Sequence, residues 1–124
     1  AQFRLPQNRY CIENRAADMT MNVYLAFAMT LSAAVEGIKG KIHPGKPTDQ
    51  DLYEMSENEF KKLGIKRLPR NLLMAIEALK KDKLSDDVLG PVMKKSFLAY
   101  KNDEWERYHQ SVTDWEVKEY LRLY

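Results

Sequence analysis

The chain has few of the residues that carry covalent cross-links and metal clusters. Among 124 residues there is one cysteine, Cys11, and there are two histidines, His43 and His109. A single thiol excludes an intrachain disulfide and a cysteine-based zinc site, and points to a reducing, cytoplasmic setting. With neither histidine near it in sequence, Cys11 reads as a small packed hydrophobe rather than a reactive thiol. The two histidines are far apart and lack metal-ligand spacing. Charge of one sign is lacking as well: 20 Lys and Arg stand against 18 Asp and Glu, a net charge of +2. So weak a bias gives no reason to expect a nucleic-acid or membrane partner. Gly37, Gly40 and Gly45 form neither a phosphate-binding loop nor a dinucleotide fingerprint. No nucleophile elbow supports a Ser/His arrangement. No basic and apolar leader opens the chain at Ala1-Gln2-Phe3. The first residue is not Met, and the opening reads like the middle of a strand-rich stretch, so a piece of a longer chain is expected.

The one long uncharged run, Met19 to Val35, contains Thr20, Asn22, Thr30 and Ser32. It is too short and too polar for a membrane span, which needs roughly 20 apolar residues. A helix apolar all round is expected to be buried, and its small alanines suit a central position. Asn22 or Asp18 can cap it over about 22–39, with Gly37 and Gly40 ending it.

What is present is mostly helical punctuation. His43-Pro44-Gly45-Lys46-Pro47 is a turn-rich connector. Ser56-Glu57-Asn58-Glu59 is a capping box for a short helix stopping at Gly64. Asn71 is a plausible cap for a helix over about 72–82, lined by Leu72, Ile76 and Leu79. Ser85 can cap the next turn, and Pro91 suits a first helical position before a helix to about 109. On that last helix Met93, Phe97, Tyr100, Glu104 and Tyr108 share one side. Thr113-Asp114-Trp115-Glu116 is a second capping box, opening a terminal helix whose apolar residues are Val117, Tyr120, Leu121 and Tyr124. The fold class is therefore mainly α: about five helices with one or two short N-terminal strands, in one domain.

The acidic clusters near 57–59, 86–87 and 103–106 read as solvated helix ends. The N-terminal set Arg4, Arg9, Glu13 and Arg15 is less ordinary. Arginine's planar fork suits carboxylate and phosphate. A carboxylate such as Glu13 offers a hard oxygen to Mg2+ or Mn2+. If the backbone is extended, Glu13 and Arg15 point the same way, roughly 6–7 Å apart. The alternative is a surface strand with ion pairs.

The segment Glu13-Asn14-Arg15-Ala16-Ala17-Asp18-Met19-Thr20-Met21-Asn22-Val23-Tyr24-Leu25 resembles the glutamine synthetase pattern E-x-R-x-x-D-x-x-x-N-P-Y-L. Gly37-Ile38, His43-Pro44-Gly45, Asp51-Leu52-Tyr53, Leu68-Pro69, Glu104-Trp105 and Trp115-Glu116 also fit, so the resemblance covers nearly the whole chain. It implies the C-terminal segment, residues 1–124, of a larger α+β catalytic domain. In that family ATP phosphorylates the γ-carboxylate of glutamate and ammonia displaces the phosphate. The resemblance makes Glu13 a ligand of Mg2+ or Mn2+. It makes Arg15 the catalytic arginine that binds glutamate and the transferring phosphoryl. Arg4, in Phe3-Arg4-Leu5-Pro6, matches the R-x-P arginine at the ATP phosphates, and Arg9 is a lesser ATP-site candidate. Phosphoryl transfer is chiefly positioning and charge neutralisation, which is what a divalent ion and arginines supply.

There are departures. Cys11 stands where many members have a basic residue, the loop between Arg4 and Glu13 is short, and Val23 replaces the usual proline. They leave the amine open, because related ligases join glutamate to methylamine or polyamines. Tyr53 lies in a segment similar to the one adenylylated in some bacterial members, although Thr48 and Gln50 depart from it. The resemblance further implies a homo-oligomeric ring in cytoplasmic nitrogen metabolism, needing the remainder of its catalytic domain. The segment alone is expected to be inactive. The competing class is a non-catalytic helical interaction domain.

Overall fold

The computed structural model describes residues 2–48 and 52–123; Gln50, Asp51 and Tyr124, named above, lie with Ala1 and Asp49 outside the described residues. The architecture is mainly α. Strands β1 (Phe3–Arg4) and β2 (Glu13–Asn14) precede helices α1 (Val23–Lys39), α2 (Glu57–Lys62), α3 (Leu72–Lys81), α4 (Lys83–His109) and α5 (Asp114–Tyr120). The chain divides into two compact units, Ala1–Lys66 and Arg67–Tyr124.

In the first unit the two strands pair antiparallel, Phe3 opposite Asn14 and Arg4 opposite Glu13. Helix α1 starts where expected, because the Asn22 side chain accepts the backbone N–H groups of Tyr24 and Leu25 at 3.0 and 3.2 Å. Asp18 is occupied elsewhere: one carboxylate oxygen accepts both the backbone N–H and the hydroxyl of Thr20. The C-terminus differs from the expectation. Gly37 lies inside the helix, and the left-handed residue that closes it is Lys41 (φ 49°), not a glycine. Ile42 N–H donates to Gly37 O (2.9 Å) and Lys41 N–H to Ile38 O (3.1 Å), the paired bonds of a Schellman ending. Gly40 is right-handed, and a Cβ there would sit 3.1 Å from Glu36 O and 3.2 Å from Ile42 Cγ1, so a side chain asks its neighbours to give by a few tenths of an ångström.

The expectation of a buried central α1 is corrected. No residue of α1 is buried, and Tyr24, Phe27, Leu31 and Ile38 are exposed. Leu25, Ala26, Ala28 and Met29 are half-buried, and among the described residues the rest of its apolar surface is left open. Helix α2 matches the sequence closely. Ser56 N–H donates to Glu59 Oε2 at 2.7 Å, Glu59 N–H returns to Ser56 Oγ, and Gly64 (φ 67°) closes the other end. Phe60 is buried, at 7% exposure.

In the second unit α3 packs on α4. Ile76 is its most buried apolar side chain (3% exposed), with Leu72 and Leu79 half-buried on the same face, as the periodicity predicts. Asp82, not Ser85, caps α4, its carboxylate accepting Ser85 N–H at 2.7 Å. Ser85 is fully buried, and its hydroxyl donates to Asp82 O at 2.7 Å. Lys94 is buried too. Its ammonium donates to Asp82 O (2.9 Å), Lys80 O (3.4 Å) and Asp86 Oδ1 (2.5 Å), so it caps the α3 carbonyls from the flank of α4.

Helix α4 is broken at Gly90, whose φ 69° and ψ 167° are open only to glycine, and Pro91 restarts it. The face expected on this helix is partly wrong. Phe97, Leu98 and Trp105 are half-buried, whereas Met93, Tyr100 and Tyr108 are exposed. The last turn carries Trp105 stacked on His109, centroids 5.4 Å apart. Helix α5 opens with the Thr113/Glu116 capping box, Thr113 N–H donating to Glu116 Oε2 at 2.7 Å. Among the described residues no helix is long and apolar enough to cross a membrane.

Candidate active site

The site lies on the β1–β2 hairpin. Strand pairing sets Arg4 directly across from Glu13, and the connecting residues 5–12 fold back so that Arg9 reaches the same carboxylate. Pro6 is buried in this connection, and a tight turn joins Cys11 N–H to Arg9 O at 3.1 Å. The result is a carboxylate between two guanidinium groups. Arg9 Nη2 donates to Glu13 Oε1 at 2.7 Å, and Arg4 Nη1 donates to Oε2 at 3.3 Å. The Glu13 side chain is 26% exposed, while both arginines are mostly in solvent.

Charge explains the titration of this group. The hydrogen bond from Arg9 comes first among the causes holding the Glu13 carboxyl below its ordinary value, and Arg4 adds to it, against a smaller opposing effect of burial. The carboxylate is therefore ionised and oriented before any ligand arrives.

Arg15 is placed differently from the extended picture. Strand β2 ends at Asn14, whose side chain accepts Ala16 N–H at 3.1 Å and turns the chain at once. Arg15 sits in that turn, tied to the hairpin through its backbone N–H to Gln2 O (2.8 Å). Its side chain is exposed and, among the described residues, has no ion-pair partner. The structure thus brings Arg4, Arg9 and Glu13 together and leaves the Arg15 guanidinium unengaged nearby in sequence. The spacing argument missed the Arg9–Glu13 pair; the available signal was opposite charge at both mouths of a short loop. Cys11 is exposed, not packed. Tyr53 is exposed, away in sequence from the hairpin.

Among the described residues, no three His, Cys, Asp or Glu side chains cluster as a metal site would require. A Mg2+ ion takes six oxygen ligands. Glu13 therefore fits one ligand of a shared divalent-cation site, not a site in its own right. What the hairpin can do unaided is present guanidinium donors to an oxyanion while keeping a carboxylate ionised beside them.

Comparison with known proteins shows the family. Residues 2–120 match the family described as glutamine synthetase, catalytic domain, and the chain belongs to that family. It is 38% identical to a glutamine synthetase of Methanococcus maripaludis over 90% of this chain and 25% of the relative. It is 41% identical to a glutamate–methylamine ligase of Methyloversatilis universalis over 98% of this chain and 27% of that protein. A glutamine synthetase of Thermotoga maritima is 36% identical over 99% of this chain and 29% of its own length. The chain thus spans about a quarter of the length of these relatives.

Proposed function

We propose that this chain is the C-terminal segment of an ATP-dependent ligase that joins an amine to glutamate through γ-glutamyl phosphate. The supporting observation is the Arg4–Glu13–Arg9 cluster on a hairpin within a chain that matches the glutamine synthetase catalytic domain almost end to end. In this reading Arg4 and Arg9 hold ATP phosphates, and Arg15, with its guanidinium disengaged, binds the glutamate carboxylate and the moving phosphoryl. Glu13 is one carboxylate of a Mg2+ or Mn2+ site completed by residues outside this chain. A divalent ion held there offsets the phosphate charge when bound.

Ammonia is the first-choice amine, giving glutamine. The similarity to a glutamate–methylamine ligase over nearly the whole chain favours a second reading, in which methylamine or a polyamine is the acceptor. Assaying the longer parent enzyme with ammonia, methylamine and putrescine separates the two. In that parent, Glu13→Ala and Arg15→Ala should each lower kcat by roughly 100-fold or more, as loss of a preorganised charge does. Unchanged turnover in both would take this segment out of the active site and make it a helical interaction domain of the parent. The 124-residue chain by itself should show no ligase activity, and measurable product would overturn its assignment as a partial site. Tyr53 is exposed as a target of adenylylation must be. Transfer of AMP to the parent but not to its Tyr53→Phe variant would carry that reading, and no transfer to either leaves Tyr53 a structural tyrosine.

A further inference from the structure

We propose that one side of α1 is the seat on which the remainder of this protein's own catalytic domain packs. The inference rests on the reading above that the chain is a segment of a longer ligase. Tyr24, Phe27, Leu31, Val35 and Ile38 are all exposed, Tyr24 and Ile38 at 84% and 77%. Successive members are three or four residues apart, so at 3.6 residues per turn they fall within a sector of about 80°. The stripe runs the length of the 17-residue helix, about 25 Å. The half-buried Leu25 and Met29 fall on the other side, so the stripe is not the face that α1 turns to its own unit.

Charge and length together say what covers it. The charged residues of α1 are Glu36 and Lys39, both in its last turn, and Val23 to Val35 carries no charge on any side. A surface that meets a separately folded partner is bordered by a polar, solvated rim. A helix without charge all round belongs inside a core. The chain spans about a quarter of the length of its relatives, so most of such a domain lies outside it. Ala28 and Ala34 flank the stripe and leave room for a neighbouring backbone to come close. Seating α1 also places the hairpin, because the connection from Arg15 to Asn22 is short and hydrogen-bonded. Ala16 N–H donates to Asn14 Oδ1 and Met21 N–H to Asp18 O, each at 3.1 Å, and Asn22 caps the helix. Arg4, Arg9 and Glu13 thus meet the remainder of the domain on a docked helix.

The test is hydroxyl-radical footprinting of the longer parent enzyme, read by mass spectrometry as oxidation of Tyr24, Phe27 and Leu31. The native parent is compared with the parent unfolded in urea, and the native sample is run both assembled and diluted to separate subunits. Oxidation of the three side chains should be about tenfold slower in the native parent than in the unfolded one, in both samples. Oxidation in the native parent at the unfolded rate leaves the stripe open to water and overturns the proposal. Protection in the assembly that disappears in separate subunits assigns the stripe to a second copy, which overturns it too. Parent turnover and its loss in Glu13→Ala are separate readouts, so the ligase reading and the seat on α1 fail independently.

Discussion

Lys41 holds a left-handed backbone (φ 49°) that L residues with a Cβ adopt at a cost of about 1–2 kcal/mol. Glycine adopts it freely, so Lys41→Gly should raise stability by about 1 kcal/mol, measured as a shift in the urea midpoint. Sequence reading placed the stop at Gly37 and Gly40 because glycine is the usual occupant of that position. It was one residue short: Gly40 is the right-handed cap, and the left-handed position falls on Lys41. At Glu13 the direction of pH dependence follows from the lowered carboxyl. The ionised group's contribution to the hairpin is complete above the ordinary value of 4.5 and is lost as pH falls below it, through the folded value. The Glu13 carboxyl carbon, followed by NMR, should therefore titrate below 4.5, and Arg9→Gln should move that midpoint upward. Arg4 and Glu13 were legible as chemistry from residue type, and their juxtaposition required the hairpin register.

Among the elements, the α3–α4 junction depends on a buried cation. Removing the Lys94 ammonium with Lys94→Met takes a donor from the carbonyl of Lys80 and leaves that of Asp82 with the Ser85 hydroxyl, at a cost of roughly 1–3 kcal/mol. Asp86, 61% exposed, is hydrated once its partner is gone, so Asp86→Asn should cost no more than about 1 kcal/mol. Denaturant melts of the two variants should rank in that order. Helices α2 and α5 carry their own acid sensitivity. Hydrogen bonds from Ser56 and Thr113 hold Glu59 and Glu116 below 4.5, so both capping boxes are intact above that pH and open as pH falls further. Residue-level NMR should show each N-terminus fraying as pH falls below 4.5, and Ser56→Ala, at a cost of about 1 kcal/mol, should mimic this in α2 alone. These boxes were readable because their partners lie three residues apart. Lys94 was not, since a lysine on a helix looks solvated until the end of another helix is brought against it.

For the molecule as a whole, mainly α architecture was legible because caps, glycines and apolar periods are local. Burial was not, because it depends on which surfaces meet. The exposed side chains of α1 are the clearest case: Phe27 and Leu31 are 63% and 62% exposed. Apolar surface on that scale favours association, so the chain should self-associate in sedimentation runs as concentration rises. The double substitution Phe27→Ser with Leu31→Ser should reduce this while α1 remains helical by circular dichroism. The exposed thiol of Cys11 also has a practical use. It is the chain's one cysteine and sits between Arg9 and Glu13 in sequence, so a nitroxide spin label attaches at a single place without engineering. The segment thus carries a built-in reporter, and the spectral line width of such a label reads the motion of the hairpin connection directly.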